Sequence, residues 1–144
     1  MDVSDLRKRI LRALDDARKD AADRRGAVDA ASKAYEEFLN AVAVPLVRQA
    51  ATVLRAEGHL FVVNTPAGSV RLESERAPQT FLEMELDAGG GHPQIIGRVS
   101  LSRGRQGLVV DEQPIAPGKA IADVSEEDVT AFLLSAVRRL VSRA

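Results

Sequence analysis

The chain has 144 residues, no cysteine, and 20 lysine and arginine residues against 21 aspartate and glutamate residues, for a net charge of −1. This length suits one domain, and the charge balance provides no general attraction to nucleic acid or to an acidic membrane surface. The absence of cysteine excludes a disulfide framework, a thiolate metal site and a thiol nucleophile. The longest apolar run, from Ala41 to Val47, is far shorter than the roughly 20 residues needed to span a bilayer. We therefore expect a soluble cytoplasmic protein with no membrane partner.

The chain begins with a long predicted helix. Ser4 is a good N-cap and Gly58 is a natural stop, while the residues between them are mostly good helix formers. Pro45 lacks a backbone N–H and clashes with the preceding turn, so it predicts a kink. Fifty-odd helical residues would reach about 80 Å, which is longer than a compact domain of this mass is wide. The predicted helical arm, residues 1–57, must therefore project, dimerise or break.

One narrow stripe, here called the heptad stripe, runs along this helix. It combines two columns of residues seven apart, which interleave at spacings of four and three as in a coiled coil. The columns are Leu14, Ala21, Val28, Tyr35 and Val42, and Ile10, Ala17, Arg24, Ala31 and Phe38. Such a stripe needs a partner surface, either within its own fold or on another chain. The length of the helix favours association between chains, most simply as a two-fold homodimer.

Five short runs of β-forming residues separated by turn residues follow Gly58. The predicted strands are Leu60–Asn64, Val70–Ser74, Thr80–Asp87, Gln94–Ser102 and Leu108–Glu112. The third and fourth runs alternate between apolar and polar residues. A sheet with one buried and one wet face is typical of an antiparallel meander. Residues 113–123 contain two prolines and are predicted to form a loop.

A second helix is predicted after Ser125, which is followed by three acidic residues that favour a helix N-terminus. Its apolar residues recur at helical spacing and form a broad face that is suited to cover the sheet. The predicted fold is therefore α+β, with a long kinked N-terminal helix, an antiparallel meander of four to five strands, and a C-terminal helix packed on one sheet face. The arm and a small head, residues 58–144, form one structural domain.

Three acidic side chains follow the wet face of the third strand, namely Glu83, Glu85 and Asp87. Neighbours on one strand face are about 7 Å apart, a spacing that suits a divalent cation or an acid–base pair. Arg71 and Arg98 are positioned to neutralise these carboxylates across the strands. We therefore favour a solvated ionic face over a catalytic one.

Two further features have weaker functional interpretations. Arg103 and Arg105 lie at a predicted hairpin tip, where they would suit a nucleic-acid backbone, but no aromatic residues alternate with them to stack on bases. His59 and the chain's other histidine lack the spacing of a metal site. We therefore predict no metal and no cofactor.

The sequence favours a non-catalytic protein–protein interaction or oligomerisation module over an enzyme. The residues predicted to associate are Ile10, Leu14, Ala21, Val28, Tyr35, Phe38 and Val42. A second surface is predicted to consist of Arg71, Glu83, Glu85, Arg98, Arg103 and Arg105. One alternative is a nucleic-acid-associated regulator that uses the Arg103 and Arg105 tip. The other is a small-ligand binder or enzyme with a pocket near His59 and Glu83.

Overall fold

A computed structural model describes residues 1–89 and 92–142 and shows an α+β fold. A long N-terminal helix is followed by a five-stranded antiparallel sheet and by a C-terminal helix that packs on the sheet. The predicted fold class is confirmed. Residues 90–91 and 143–144 fall within the predicted head but lie outside the described residues. Within the described part of the chain, every helix is too short or too polar to cross a membrane.

The N-terminal helix continues through Gly26 and Pro45, the two residues in it that are least suited to a helix interior. It consists of α1 (Val3–Phe38), a π-helical segment (Leu39–Ala43) and α2 (Val44–Ala56). In the π-helical segment the N–H of Val44 donates to the carbonyl of Leu39, five residues earlier. Where the sequence predicts a kink, this segment places Pro45 in the first turn of α2. A missing N–H costs less there than in a regular helix interior, because the i→i−5 bonding that ends at Val44 interrupts the regular i→i−4 ladder just before Pro45.

The π-helical segment also changes which face of the helix is buried. Phe38 is buried, and the next fully buried residue is Ala43, five positions later rather than three or four. Val42, where the heptad stripe would continue, is only partly buried, although it packs against the core. The buried face of α2 then follows Val47 and Leu54. Val53, which looks apolar enough for the core, is instead 63% exposed because the shifted phase turns it outward.

The five strands pair in simple sequence order, each antiparallel to the next. They are β1 (Phe61–Asn64), β2 (Ser69–Ser74), β3 (Phe81–Asp87), β4 (Gln94–Ser102) and β5 (Leu108–Ile115). The predicted loop over residues 113–123 is wrong in its first part, since β5 continues through Pro114 to Ile115. An edge strand tolerates proline. Ile115 is buried and pairs with Ile95, which holds this end of the strand in the sheet.

The core lies on one face of the sheet, here called the covered face. α2 packs over β1 and β2, and α3 (Glu126–Val141) packs over β3, β4 and β5. Buried sheet residues on this face include Val70, Leu72, Leu82, Met84, Ile95 and Val99. α3 begins with the predicted Ser125 cap, which forms a reciprocal capping box with Asp128. Its predicted apolar face is confirmed, with Val129, Phe132, Leu133, Ala136 and Leu140 buried.

α3 lies very close to the sheet at Gly97 of β4. A Cβ atom at this position would lie 2.5 to 2.8 Å from ring atoms of Phe132. Real Cβ atoms do not come that close to a packed ring, so glycine is needed here for the helix to lie against the strand.

We therefore predict that Gly97→Ala destabilises the fold by about 1–3 kcal/mol, as expected for overpacking. Urea unfolding followed by circular dichroism measures this loss. Gly26→Ala is the matched control, because a Cβ at Gly26 meets nothing within 4 Å. The control adds helix propensity of up to about 1 kcal/mol within α1 and should not lower the urea midpoint. Equal midpoints for Gly97→Ala and the wild type would contradict the packing argument.

Candidate association surface and the ionic sheet face

The first part of α1, residues 3–30, is here called the projecting segment. All its side chains are exposed except the half-buried Ala21. At 1.5 Å per residue the segment is about 42 Å long. Its larger exposed apolar side chains are Val3, Leu6, Ile10, Leu11, Leu14 and Val28, which are 36 to 80% exposed. The segment therefore presents apolar surface that its own fold does not cover.

The structure divides the predicted association residues into two groups. Ile10, Leu14 and Val28 lie on the projecting segment, with 50%, 47% and 36% of their surface exposed, and Ala21 lies between them. Tyr35 and Phe38 are 6% and 5% exposed and belong to the hydrophobic core, against which Val42 packs as well. The surface available to a partner is therefore the stripe before Tyr35.

Tyr35 anchors the helix to the sheet. Its hydroxyl donates to the carbonyl of Gly68 at 2.6 Å and lies 3.4 Å from the carbonyl of Met84. Its ring packs against Phe38 with a centroid separation of 6.2 Å. Burial raises the pKa of Tyr35, and the charges of Glu85 and Glu83 raise it further. The hydroxyl therefore stays protonated and remains a donor.

Leu6 and Leu11 are exposed apolar residues that the heptad columns do not include. Leu6 lies four residues before Ile10, and Leu11 lies one residue after it. In heptad terms they flank the stripe, one on each side. This flanking pattern was available in the sequence and widens the apolar surface near the N-terminus.

A shallow hollow of about 370 Å³ lies on the projecting segment, between Ala21, Arg24, Arg25 and Val28, with Asp29 at its rim. The first four residues are spaced i, i+3, i+4 and i+7, so they surround one point on the helix surface. Four residues in this arrangement form the hole that receives one side chain of a facing helix in a coiled coil. The small side chain of Ala21 leaves the hollow open.

The other sheet face, here called the open face, carries an ionic network. Arg71 contacts Glu83 at 2.9 Å, and Arg98 contacts Glu112 at 2.6 Å and also Glu85. The predicted neutralisation is confirmed for Glu83 by Arg71 and for Glu85 by Arg98, whereas Asp87 has no ion pair among the described residues. The hydrogen bond with Glu112 is the main cause that raises the pKa of Arg98 above its ordinary value, with a further contribution from Glu85.

Glu83 is only 6% exposed, although it lies on the face predicted to be wet. The guanidinium of Arg71 covers it from β2 and lies 4.0 Å above the ring of Phe81. The Nε of Arg71 is buried and finds no hydrogen-bond partner among the described residues. Glu83 is thus engaged in an ion pair and is not placed as a free acid or base.

The remaining predicted sites are separate from one another. Arg103 and Arg105 are exposed around a short 3₁₀ turn between β4 and β5 and make no ion pair within the described part of the chain. His59 lines a cleft of about 220 Å³ with Arg76, Thr80 and neighbouring residues, but Glu83 is not part of it. Over residues 1–89 and 92–142, no three histidine or acidic side chains are grouped in a way that could hold a metal ion.

Comparison with known proteins gives no relative from which to take a function, because no family model, curated protein or solved structure matches this chain. The function must be inferred from the chain's own surfaces.

The ion pair between the half-buried Arg71 and the buried Glu83 generates a stability prediction. Arg71→Leu should destabilise the protein by on the order of 3 kcal/mol, because it leaves the carboxylate of Glu83 buried without its partner. The double variant Arg71→Leu/Glu83→Leu should recover most of this loss. Chemical denaturation of the three proteins measures the effect.

The matched control for this prediction is Arg55→Leu. Arg55 pairs with Glu75 at the same distance, 2.9 Å, but both side chains are well exposed. Removing an exposed pair should cost less than about 1 kcal/mol. If Arg71→Leu and Arg55→Leu lost the same stability, Glu83 would not depend on its partner and the ionic interpretation would be wrong.

Proposed function

We propose that this protein is a non-catalytic cytoplasmic association module that self-associates through its projecting segment. The observation that carries the proposal is the apolar stripe on residues 3–30, which no other part of the described chain covers. Apolar residues that recur along one side of a long exposed helix, here interrupted by Arg24, are characteristic of a protein–protein contact.

The energetics favour burial of this stripe. Fully burying a leucine or isoleucine stabilises by about 1.5–3 kcal/mol, so a side chain that is half exposed still gains on the order of 1 kcal/mol. Four such residues, Leu6, Ile10, Leu11 and Leu14, are 47 to 53% exposed within the first half of the segment. In a two-fold dimer every one of them contributes twice.

A second copy of the chain is a suitable partner because one segment carries both parts of a contact. The exposed Leu14 supplies a side chain that can insert, and the hollow next to Ala21 supplies a place to receive one. Two identical surfaces that each contain a projection and a recess can satisfy one another in an isologous dimer.

The open sheet face supports a non-catalytic function. An acid–base mechanism needs carboxylates that are free to exchange protons at a substrate. Glu83, Glu85 and Glu112 are instead held in ion pairs with Arg71 and Arg98. We therefore assign function to the projecting segment.

We predict that the wild-type protein sediments with twice the 15.5 kDa mass of one chain. Leu14→Glu should shift it to the monomer, because it removes two buried leucines per dimer and places a charge in the contact. The dimer should lose about 3 kcal/mol or more of its free energy of association, which corresponds to a dissociation constant at least 100-fold higher. Sedimentation velocity over a concentration series measures this.

Ala22→Glu is the matched control for Leu14→Glu. Ala22 is exposed on the same helix but lies off the stripe, so the substitution adds the same charge without entering the proposed contact. It should leave the dimer intact. A monomeric wild-type protein, or equal weakening by the two substitutions, would overturn the proposal.

A further inference from the structure

We infer that the two projecting segments pair in antiparallel orientation, with Leu14 of each copy inserted into the hollow between Ala21 and Val28 of the other. This inference rests on the proposed self-association and specifies its orientation and register. The hollow, the positions of the arginines and the length of the free stripe each point to this arrangement.

The hollow limits which side chain can fill it. The hollow lies at the level of Arg24, the second-column residue of that turn, which lines it together with Ala21, Arg25, Val28 and Asp29. In a parallel in-register pair the same residue of the other copy would enter, so two Arg24 guanidinium groups would meet beside Arg25. In an antiparallel pair a first-column residue enters instead. Leu14 is the largest apolar first-column residue on the projecting segment, and it is 47% exposed.

Placing Leu14 opposite Arg24 fixes every other layer of the pair. Arg7 lies one heptad before Leu14 and extends the first column, so the layers become Arg7 with Ala31, Ile10 with Val28, Leu14 with Arg24, and Ala17 with Ala21. Two of these layers, Arg7 with Ala31 and Ile10 with Val28, set a larger side chain against a smaller one, which packs more evenly than equal sizes face to face. Each arginine in the seam also faces an apolar residue rather than its own copy.

The charges beside the seam partly oppose this orientation. The antiparallel register brings Arg18 near Arg18 and Asp20 near Asp20 of the other copy, whereas a parallel pair would join Asp20 to Arg25. These flanking positions are exposed, so solvent and salt screen their interactions. The parallel pair places its like charges, Arg7 and Arg24, inside the seam, where they are shielded from water. Repulsion there is the larger effect.

The length of the free stripe agrees with the same register. With Leu14 opposite Arg24, the layers extend from Arg7 to Ala31 of the other copy, the half-buried residue that directly follows the projecting segment, and no stripe residue between these limits lacks a facing residue. The next layer would need Tyr35, which is buried in its own core. The paired region therefore ends where the body of the partner begins.

Cysteine crosslinking tests the orientation, and the chain contains no native cysteine to interfere. Ile10→Cys and Val28→Cys are made separately, mixed, allowed to exchange subunits, and treated with a short thiol-specific crosslinker. In the antiparallel pair position 10 faces position 28, so a covalent dimer should form in the mixture. Each variant alone should give almost none, because position 10 of one copy lies 18 residues, or about 27 Å, from position 10 of the other.

The outcomes separate this inference from the proposed function. Crosslinking in the mixture alone supports the antiparallel register. Efficient crosslinking of Ile10→Cys alone would show a parallel pair and overturn the register while leaving self-association in place. Absence of crosslinking in variants that sediment as dimers would also overturn it. A monomeric wild-type protein would overturn the proposed function itself.

Discussion

The burial of Tyr35 and Phe38 is the constraint on which the rest of the structure depends. These side chains enter the core over the covered face, and the Tyr35 hydroxyl ties α1 to backbone carbonyls of Gly68 and Met84. From Tyr35 onward the helix contributes side chains to the hydrophobic core, whereas every side chain of the projecting segment except the half-buried Ala21 is exposed. One anchoring turn thus decides which part of a single continuous stripe stabilises the fold and which part remains for a partner.

The open sheet face and the projecting segment differ in whether their side chains find partners within the chain. The open face places Arg71, Arg98 and their carboxylate partners against one another, so these charges are neutralised without a second layer of structure, and only the Nε of Arg71 finds no hydrogen-bond partner among the described residues. The projecting segment has no such internal solution, because the side chains on one helix stripe point outward side by side and cannot cover each other. Charged side chains that are paired within the chain are weak evidence for a binding site. Apolar side chains that the chain leaves uncovered are stronger evidence for one.

The sequence predicted the elements more accurately than the surfaces between them. Alternation in β3 placed Leu82 and Glu83 on opposite faces, and the Ser125 cap marked the start of α3. Apolar residues that recur every seven positions indicate that one face of a helix is apolar, but they do not indicate which surface covers that face. The sequence therefore predicted one partner surface from Ile10 to Val42, although Tyr35 and Phe38 near its end are buried in the hydrophobic core of the same chain. The burial of Glu83 could not be predicted from the alternation of apolar and polar residues in β3 either, because it depends on Arg71 from the neighbouring strand β2.

The π-helical segment explains how one helix meets two different demands. A coiled-coil seam repeats every 3.5 residues, and the extra residue in the π turn moves the buried face from Phe38 to Ala43. The seam therefore ends at the body instead of continuing along the face that α2 presents to solvent, where Gln49 and Thr52 are exposed. Because the helix itself does not break, the projecting segment is held in a fixed direction relative to the sheet. Antiparallel pairing of two such segments would then hold the bodies at opposite ends of a rod of about 40 Å, with both open faces free.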